Sequence, residues 1–260
     1  MGRARLRKGI GMGNHRRFFV DPNKISNCEA ILDGPVARQI AKVLRLKTGD
    51  RISLLDGFGN TYSADIASVS TDTVTAKILD KKSNVNEPRL KLTLASCLPK
   101  SDRMELIVQK CTELGISEIL LVQSERTIAR PDEDRQGKRL ARLCRIATES
   151  TEQCGRSIAP KIRGTLDFAQ LIEIVPKYDL TIVAWEEEDG VSLRNALTDK
   201  NSIDSALVVI GPEGGLTQRE VESLKSAGAI SVSLGPRLLR TDTAAIATCA
   251  AVMYELEFEL

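Results

Sequence analysis

Two segments rich in glycine and proline, both near the carboxyl terminus, constrain this chain more than any other feature. Gly211-Pro212-Glu213-Gly214-Gly215-Leu216 directly follows the apolar run 206–210, and the segment 234–244 (LGPRLLRTDTA) continues from the run 230–234. A helix-like pattern comes after each segment, so both are typical of turns from a strand into a helix. Because the carboxyl ends of parallel strands meet at one edge of a sheet, the pair predicts one ligand held there by backbone.

The pattern of residues 90–258 predicts a mostly parallel α/β sheet. Short apolar runs indicate strands at 90–96, 119–122, 180–184, 206–210 and 230–234. Apolar residues at helical spacing indicate helices at 101–114, 135–148 and about 243–258. A capping-box sequence opens another helix at Thr217, and Gly228 ends it. Strands that alternate with helices in this way favour a mostly parallel sheet.

Residues 16–82 carry a different pattern, in which short β-rich runs alternate with turns such as Thr48-Gly49-Asp50. One helix is predicted ahead of most of these runs, at 35–46. Short strands with frequent turns favour a small β-barrel. The polar, aperiodic segment 81–89 is the best linker candidate, which places a second domain at 83–260. The Gly- and Arg-rich segment 1–15 predicts either a flexible basic arm or an extension ahead of a true start at Met12.

Charge is distributed unevenly along the chain. The first 85 residues hold 15 Lys and Arg against 8 Asp and Glu, whereas the remainder holds 22 against 27. A basic amino-terminal part favours an anionic partner such as nucleic acid. Four of those basic residues lie in the first eight positions, and without them the net charge of the first part falls to +3, so charge alone does not identify the partner.

Several classes of protein are disfavoured by what the sequence lacks. The segment 211–216 matches neither GxxxxGK[ST] nor GxGxxG, which argues against the usual nucleotide cradles. The single histidine, His15, lies in the arm, which argues against histidine-dependent triads and multi-histidine metal sites. Six cysteines without a CxxC pair favour a reducing, cytoplasmic setting, and no apolar run approaches the roughly 20 residues that span a bilayer.

Polar residues that follow the predicted strands and helices are candidates for a substrate cleft. Arginine beside a strand-to-helix turn can bind phosphate or stabilise a developing oxyanion, which favours a functional role for Arg240. Asp242 and Thr243 can instead cap the last helix. Further candidates are Arg126, Glu152, Gln153, Arg156, Lys100 and Arg103. Aromatic residues make up only 3% of the chain, which leaves few stacking candidates for RNA bases: Phe18, Phe19, Phe58 and Tyr62.

Seven motifs in a fixed order resemble those of the RsmE family of SPOUT methyltransferases, from residue 16 to about 256. They are RFFV at 17–20, VLRLKTGD at 43–50, KCTELG at 110–115, SER at 124–126, EQCGR at 152–156, GPEGGL at 211–216 and LGPRLLRTDTA at 234–244. The resemblance implies a PUA-like β-barrel that binds RNA at 16–82 and a SPOUT-type α/β domain with a carboxy-terminal trefoil knot at 83–260. It also implies a homodimer that uses S-adenosylmethionine to methylate N3 of uridine 1498 in 16S ribosomal RNA.

The resemblance also assigns residues to roles. For RNA binding we expect Arg17 and Arg45 in the motifs of the first domain, together with the polar candidates named above, Lys100, Arg103, Arg126, Glu152, Gln153 and Arg156. For the cofactor it indicates Ala184, Trp185, Gly211, Pro212, Glu213, Gly214, Gly215, Leu216, Leu234, Gly235, Leu238, Leu239, Arg240 and Thr241. For catalysis we expect Arg240 first and Arg156 second to stabilise charge on the uracil, with Asp242 orienting the arginine or accepting the proton.

Three details of the motifs affect these expectations. Related ribose methylases carry Ser-Leu-Asn where this chain has Leu239-Arg240-Thr241, which favours a base-methylating enzyme. Many relatives have Glu at the position of Asp242 and His at that of Gln39, so the histidine of those relatives cannot act as a base here. Two alternatives stay open: a SPOUT enzyme for another rRNA or tRNA base, and a non-catalytic ribosome-binding factor.

Overall fold

A computed structural model describes residues 16–83, 86–99, 103–127, 133–198, 200 and 202–257. Within the range 133–198, it describes side chains from residue 136 onward. The chain divides into two units, Met1–Val85 and Asn86–Leu260. The predicted arm at 1–15 and the candidate Lys100 lie outside the described residues.

The first unit is built on one six-stranded sheet. Its strands are β1 Arg17–Phe19, β2 Ile25–Ser26, β3 Glu29–Asp33, β4 Arg51–Leu55, β5 Asn60–Val69 and β6 Thr73–Ser83, in the order β1-β4-β5-β6-β3-β2. The β1–β4 pair is parallel and the other pairs are antiparallel. Alternate residues such as Ile52 and Leu54 point into a core that also holds Phe18 and Ile40.

The helix predicted at 35–46 is shorter than expected. Helix α1 covers Gly34–Arg38, and a wider turn at Gln39–Val43 follows, in which the Leu44 amide donates to the Gln39 carbonyl at 2.8 Å. The wider turn keeps Ile40 buried but rotates Val43 away from the core, so that Val43 is 74% exposed. The uniform helical period predicted from the apolar spacing is therefore wrong after Arg38.

The second unit contains a six-stranded sheet in which every pairing is parallel. The strands are β7 Lys91–Cys97, β8 Glu118–Gln123, β9 Lys161–Asp167, β10 Leu180–Ala184, β11 Ser205–Ile210 and β12 Ile230–Val232, in the order β12-β10-β11-β7-β8-β9. The helices are α2 Arg103–Glu113, α3 Glu133–Cys154, α4 Phe168–Ile174, α5 Leu193–Leu197, α6 Gln218–Ser226 and α7 Thr241–Glu257. The parallel sheet predicted from the alternating pattern is thereby confirmed.

Sequence periodicity missed three elements of this unit, β9, α4 and α5. Strand β9 is an edge strand without a fully buried residue, so it lacks the apolar run that marks the other strands. Helices α4 and α5 are short, with seven and five residues. The predicted ends of α6 are confirmed, since Thr217 and Glu220 form a capping box and Gly228 has a φ of +110°.

Helices cover both faces of this sheet. Val208 points to one face, where it packs in a cluster with α2, α3 and α7, and its neighbours Leu207 and Val209 point to the other, where α4 and α6 lie. Since all six strands run the same way, their carboxyl ends form one edge, and the predicted loops lie there. Within the described ranges, no helix combines the length and apolar character needed to cross a bilayer.

Candidate cofactor site

A cavity of about 420 Å³ opens beyond the carboxyl ends of β10 and β12. Two segments build it, one from the end of β10 and the other from the loop after β12, together with one residue of α7. Its lining residues are Ala184, Trp185, Glu186, Glu188, Asp189, Ser233, Leu234, Gly235, Pro236, Arg237, Leu238, Leu239 and Ala244. The cavity therefore lies where the sequence predicts a ligand held by loops.

Backbone hydrogen bonds fix the first segment around the end of β12. The Trp185 amide donates to the Val232 carbonyl at 3.1 Å, and the Ser233 amide donates to the Val191 carbonyl at 2.8 Å. The Glu188 carboxylate accepts from the Gly190 amide at 3.0 Å and so closes the turn between them. These bonds hold the segment 185–191 as a wall of the cavity.

The Glu188 carboxylate is stabilised in its charged form. The nearby Ser231 side chain contributes most, and burial opposes the charge. The amides of Gly190 and Val191 and the positive charge of Lys225 also favour the charged form, so the pKa of Glu188 lies below its usual range. With Glu186 and Asp189, it places three carboxylate side chains in the cavity lining. The cavity therefore favours a ligand that carries positive charge.

The GPEGGL segment borders this cavity through the side chain of Glu186. Gly215 has a φ of +72°, and a Cβ atom there would lie 1.7 Å from Glu186 Oε1. Glycine at 215 therefore leaves the space that the Glu186 carboxylate takes between the loop and the cavity. None of the six GPEGGL residues lines the cavity itself.

The loops that follow β8 and β11 are tied together. Arg126 Nη1 donates to the Gly214 carbonyl at 2.8 Å. The Glu220 carboxylate accepts from the Glu125 amide at 2.8 Å and from the Thr217 amide at 2.9 Å. The capping box that starts α6 thus also fixes the loop after β8, and it keeps Arg126 exposed at this edge of the sheet.

The lining matches the chemistry of S-adenosylmethionine, which carries a sulfonium and an ammonium group together with a purine ring. Trp185 Nε1 is a buried donor without a hydrogen-bond partner among the described residues, so it is available to a ligand acceptor. The carboxylates suit the two cationic groups, and Leu234, Leu238 and Ala244 supply apolar surface. These residues fit the cofactor that the resemblance implies.

The structure brings together six of the predicted cofactor residues and leaves the others beside them. Ala184, Trp185, Leu234, Gly235, Leu238 and Leu239 line the cavity, whereas Arg240 and Thr241 follow directly in the chain without lining it. The prediction missed Glu188 and Asp189. The acidic run 186–189 directly after β10 was the available signal for them.

The structure does not support the roles predicted for Arg156, in catalysis and in RNA binding. Only 4% of the residue is exposed, and its guanidinium is held by the Glu87 carboxylate at 3.0 Å and by the carbonyls of Thr112 and Ile116 at 3.0 and 2.8 Å. Glu87 also accepts from the Ser157 amide at 2.6 Å. Arg156 therefore joins the start of this unit to the ends of α2 and α3, and it does not line the cavity.

Other predicted residues are distributed more widely. Glu152 and Gln153 lie in the last turn of α3, and Gln153 lines a separate groove between α2 and α3. Arg17 lies on β1, and Arg45 is exposed with a φ of +52° just after the wide turn. Arg103 opens α2 and pairs with Asp242, whose expected partner was Arg240.

Comparison with known proteins agrees with the two domains predicted from the sequence motifs. Residues 86–253 match the model of an RNA methyltransferase domain, and residues 32–79 match that of an RNA methyltransferase PUA domain. Proteins named ribosomal RNA small subunit methyltransferase E from Bacillus subtilis and Synechocystis are 32% and 33% identical to this chain. Both alignments cover 93% of this chain, with 97% and 78% of the respective relatives.

Solved structures of similar proteins give the same result. The ribosomal RNA small subunit methyltransferase E of Neisseria gonorrhoeae, bound to S-adenosylmethionine, superposes with a TM-score of 0.82 at 29% identity over 93% of this chain and 98% of that one. A Legionella pneumophila protein described as a methyltransferase, also with bound cofactor, gives 0.84 at 26% identity over the same shares. This chain belongs to the RNA methyltransferase family that contains ribosomal RNA small subunit methyltransferase E.

Proposed function

We propose that this protein transfers the methyl group of S-adenosylmethionine to N3 of a uridine in 16S ribosomal RNA, at uridine 1498. The observation that supports this most strongly is the cavity, because the loop after β12 lines it and its acidic, partly apolar lining fits the cofactor. The GPEGGL loop borders the same cavity through Glu186. Relatives that carry the rRNA methyltransferase name align over nearly the whole chain, which supports the same substrate.

The residues around the cavity have separate roles in this proposal. The lining holds the cofactor, with Glu186, Glu188 and Asp189 facing its positive groups. When bound, S-adenosylmethionine supplies an electrophilic methyl carbon, and its bond to sulfur breaks as the bond to N3 forms. Uridine N3 becomes nucleophilic as its proton leaves, which spreads negative charge over O2 and O4. Arg240, exposed at the end of the cavity loop, donates to one of these oxygens.

RNA contacts in the first unit depend on exposed basic and aromatic side chains. Phe18 is 1% exposed, whereas Phe58 is 77% exposed at the tip of the β4–β5 hairpin. Two carboxylate oxygens of Asp56 fix this tip, since they accept from the amides of Phe58 and Asn60 at 2.8 and 3.0 Å and from the Asn60 side chain at 2.6 Å. We place Phe58 against an unpaired RNA base, with Arg17 and Arg45 contacting phosphates of the same RNA.

The proposal extends to assembly and location. The loops 211–216 and 234–240 form the trefoil knot of the SPOUT fold, and two copies of the chain form the active enzyme in the cytoplasm. Helices α2 and α7 pack together, and each leaves a large apolar side chain exposed, Leu106 at 42% and Tyr254 at 72%, which suits a contact between copies. Analytical ultracentrifugation tests the dimer.

Nucleoside mapping of 16S rRNA tests the reaction. Cells that lack this protein should lose 3-methyluridine from their 16S rRNA, and a plasmid copy should restore it. Persistence of the modified nucleoside would reject the proposed reaction, and loss of a different modified nucleoside would favour another base as the target. If no modification changes while ribosome assembly is impaired, the protein is a binding factor.

Replacement of Arg240 by Ala tests the role of this side chain. Arg240→Ala should lower kcat by about 10²-fold or more, as expected when a donor to a developing oxyanion is removed. Arg219→Ala is the matched control, because Arg219 is also an exposed arginine, lies on α6 and does not line the cavity. Circular dichroism should show the same fold for both variants. A near-normal rate for Arg240→Ala would remove Arg240 from the mechanism.

A further inference from the structure

The first residue of α2 and the first turn of α7 are joined by an ion pair. Arg103 Nη1 lies 3.5 Å from Asp242 Oδ1, and the two side chains are 32% and 18% exposed. Oδ1 is buried and makes no hydrogen bond within the described part of the chain. By contrast, the Arg142–Glu105 pair between α3 and α2 closes to 2.7 Å. The Arg103 pair is therefore an open electrostatic contact at a site where a buried carboxylate oxygen still lacks a donor.

In the Arg103–Asp242 pair, Asp242 lies close in the chain to residues that line the cavity. Asp242 lies two residues before Ala244, which lines the cavity, and three residues after Leu239, which also lines it. Arg103 follows β7, and β7 is the direct neighbour of β11, whose carboxyl end carries the GPEGGL loop. The pair thus occupies the same edge of the sheet as the two motif loops, on the side of β7.

The charge distribution of the uracil anion gives Arg103 a role beside Arg240. The negative charge of a uracil deprotonated at N3 resides mainly on O2 and O4, which flank N3 on opposite sides. One guanidinium can donate to one of these oxygens, and the other oxygen needs a second donor. Arg240 and Arg103 lie at this edge of the sheet on different elements, the loop after β12 and the start of α2.

We propose that Arg103 is a second catalytic arginine, which donates to the uracil oxygen opposite the one served by Arg240, and that Asp242 is its positioning residue. This inference rests on the proposed function. In it, the carboxylate of Asp242 holds the guanidinium of Arg103 toward the acceptor base, and it neither contacts the base nor removes the N3 proton. That proton leaves to solvent as N3 attacks the methyl carbon.

Uridine and 5-fluorouridine substrates separate this role from a structural one. Fluorine withdraws electrons and makes N3 more acidic, so the anion needs less stabilisation by the enzyme. We expect Arg103→Ala to lower kcat by about 10²-fold on 30S subunits reconstituted with unmodified 16S transcript. The deficit should shrink severalfold on the same particles made with 5-fluorouridine. Affinity for S-adenosylmethionine, measured by calorimetry with the full-length protein, should stay within twofold of wild type.

Arg142→Ala is the matched control, because it also breaks an ion pair between α2 and another helix, and neither of its partners lines the cavity. It should show the same modest effect on both substrates. Equal deficits of Arg103→Ala on the two substrates, or a normal rate, would overturn the inference. Failure of the wild-type protein to methylate either particle would instead reject the proposed function itself.

A second variant keeps the inference testable if Arg103→Ala does not fold. Asp242→Asn preserves the shape of the side chain and removes its charge, so Arg103 should lose its orientation and the uridine deficit should again shrink with 5-fluorouridine. In the double variant, Asp242→Asn should add little to the loss caused by Arg103→Ala, since both act through one contact. Fully additive losses would show that Asp242 acts independently, as a base that accepts the proton, and would contradict the assignment.

Discussion

At the scale of single residues, Gly215 is constrained twice, by its backbone and by a neighbouring carboxylate. Its φ of +72° disfavours any side chain, and a Cβ atom would meet Glu186 Oε1 at 1.7 Å. The sequence motif shows that small residues occur in this loop, but the contact with Glu186 depends on how β10 and β11 lie side by side.

Gly215→Ala should weaken cofactor binding as well as stability. Both Gly215 and Gly228 have positive φ, but a Cβ at Gly228 meets nothing within 4 Å. We expect Gly228→Ala to cost about 1 kcal/mol of unfolding free energy with unchanged cofactor affinity. Gly215→Ala should also displace Glu186 and raise the Kd for S-adenosylmethionine about tenfold or more. Calorimetry and urea unfolding measure the two effects, and equal Kd values for both variants would contradict the proposed role of Glu186.

Phe58 is the exposed aromatic side chain that we propose stacks on an RNA base. Phe58→Ala should weaken RNA binding by about 1–3 kcal/mol, the usual contribution of a stacked base, while Phe58→Trp should retain affinity. Val43→Ala is the control, since Val43 is 74% exposed in the same unit but is not aromatic. Filter binding with a 16S rRNA fragment measures the change. Similar losses for Val43→Ala and Phe58→Ala would indicate a general effect of the apolar surface.

Acid should loosen the loop that presents Phe58. Burial opposes the charge of Asp56, but hydrogen bonds from Asn60, Phe58 and Tyr62 prevail and hold its pKa below the usual range for aspartate. A group with a depressed pKa stabilises the fold fully above its unfolded value and loses that contribution as the pH falls through the folded value. The loop should therefore stay ordered near neutral pH.

At the scale of elements, the buried pair Arg156–Glu87 joins α2, α3 and the start of the second unit. The sequence predicts a role in RNA binding or catalysis for the EQCGR motif at the end of α3, because polar residues there could line a substrate cleft. Burial of both partners, at 5% and 8% side-chain exposure, gives it a structural role. Local sequence could not show this, because the partner carboxylate comes from the segment before β7.

Arg156→Ala should therefore reduce stability and leave the chemical step intact. Loss of one partner from a buried pair leaves an unpaired charge, which costs about 3–5 kcal/mol of unfolding free energy. Glu87→Gln should give a loss in the same direction, because it removes the charge that holds the guanidinium. Thermal unfolding measures stability, and kcat is measured below the melting transition. A folded Arg156→Ala protein with kcat reduced 10²-fold would return Arg156 to the active site.

At the scale of the whole molecule, the two units have separate hydrophobic cores. One cluster lies within the first unit, and two others cover the two faces of the parallel sheet in the second. The cavity lining comes entirely from the second unit. Expression of the second unit alone can therefore test whether it binds the cofactor without the first unit.

The segment 86–260, expressed alone, should fold and bind S-adenosylmethionine with the affinity of the full chain. It should methylate 30S subunits poorly, because the contacts proposed for Phe58, Arg17 and Arg45 would be missing. Calorimetry and methyl transfer assays measure the two properties, with the full-length protein as reference. Full activity of the segment would show that the first unit is dispensable for the substrate.

The sequence by itself determined the β-rich first unit, the alternating second unit, the parallel sheet and the two loops at its carboxyl edge. These features depend on local periodicity and on glycine and proline at turns, which report the burial and backbone of nearby residues. Only the tertiary structure decided the strand order β12-β10-β11-β7-β8-β9 and the place of Glu186 against Gly215. It also decided that Arg156 is buried and that Asp242 pairs with Arg103. Such pairings join residues far apart in the chain, and a local pattern carries no information about which distant charge a side chain will meet.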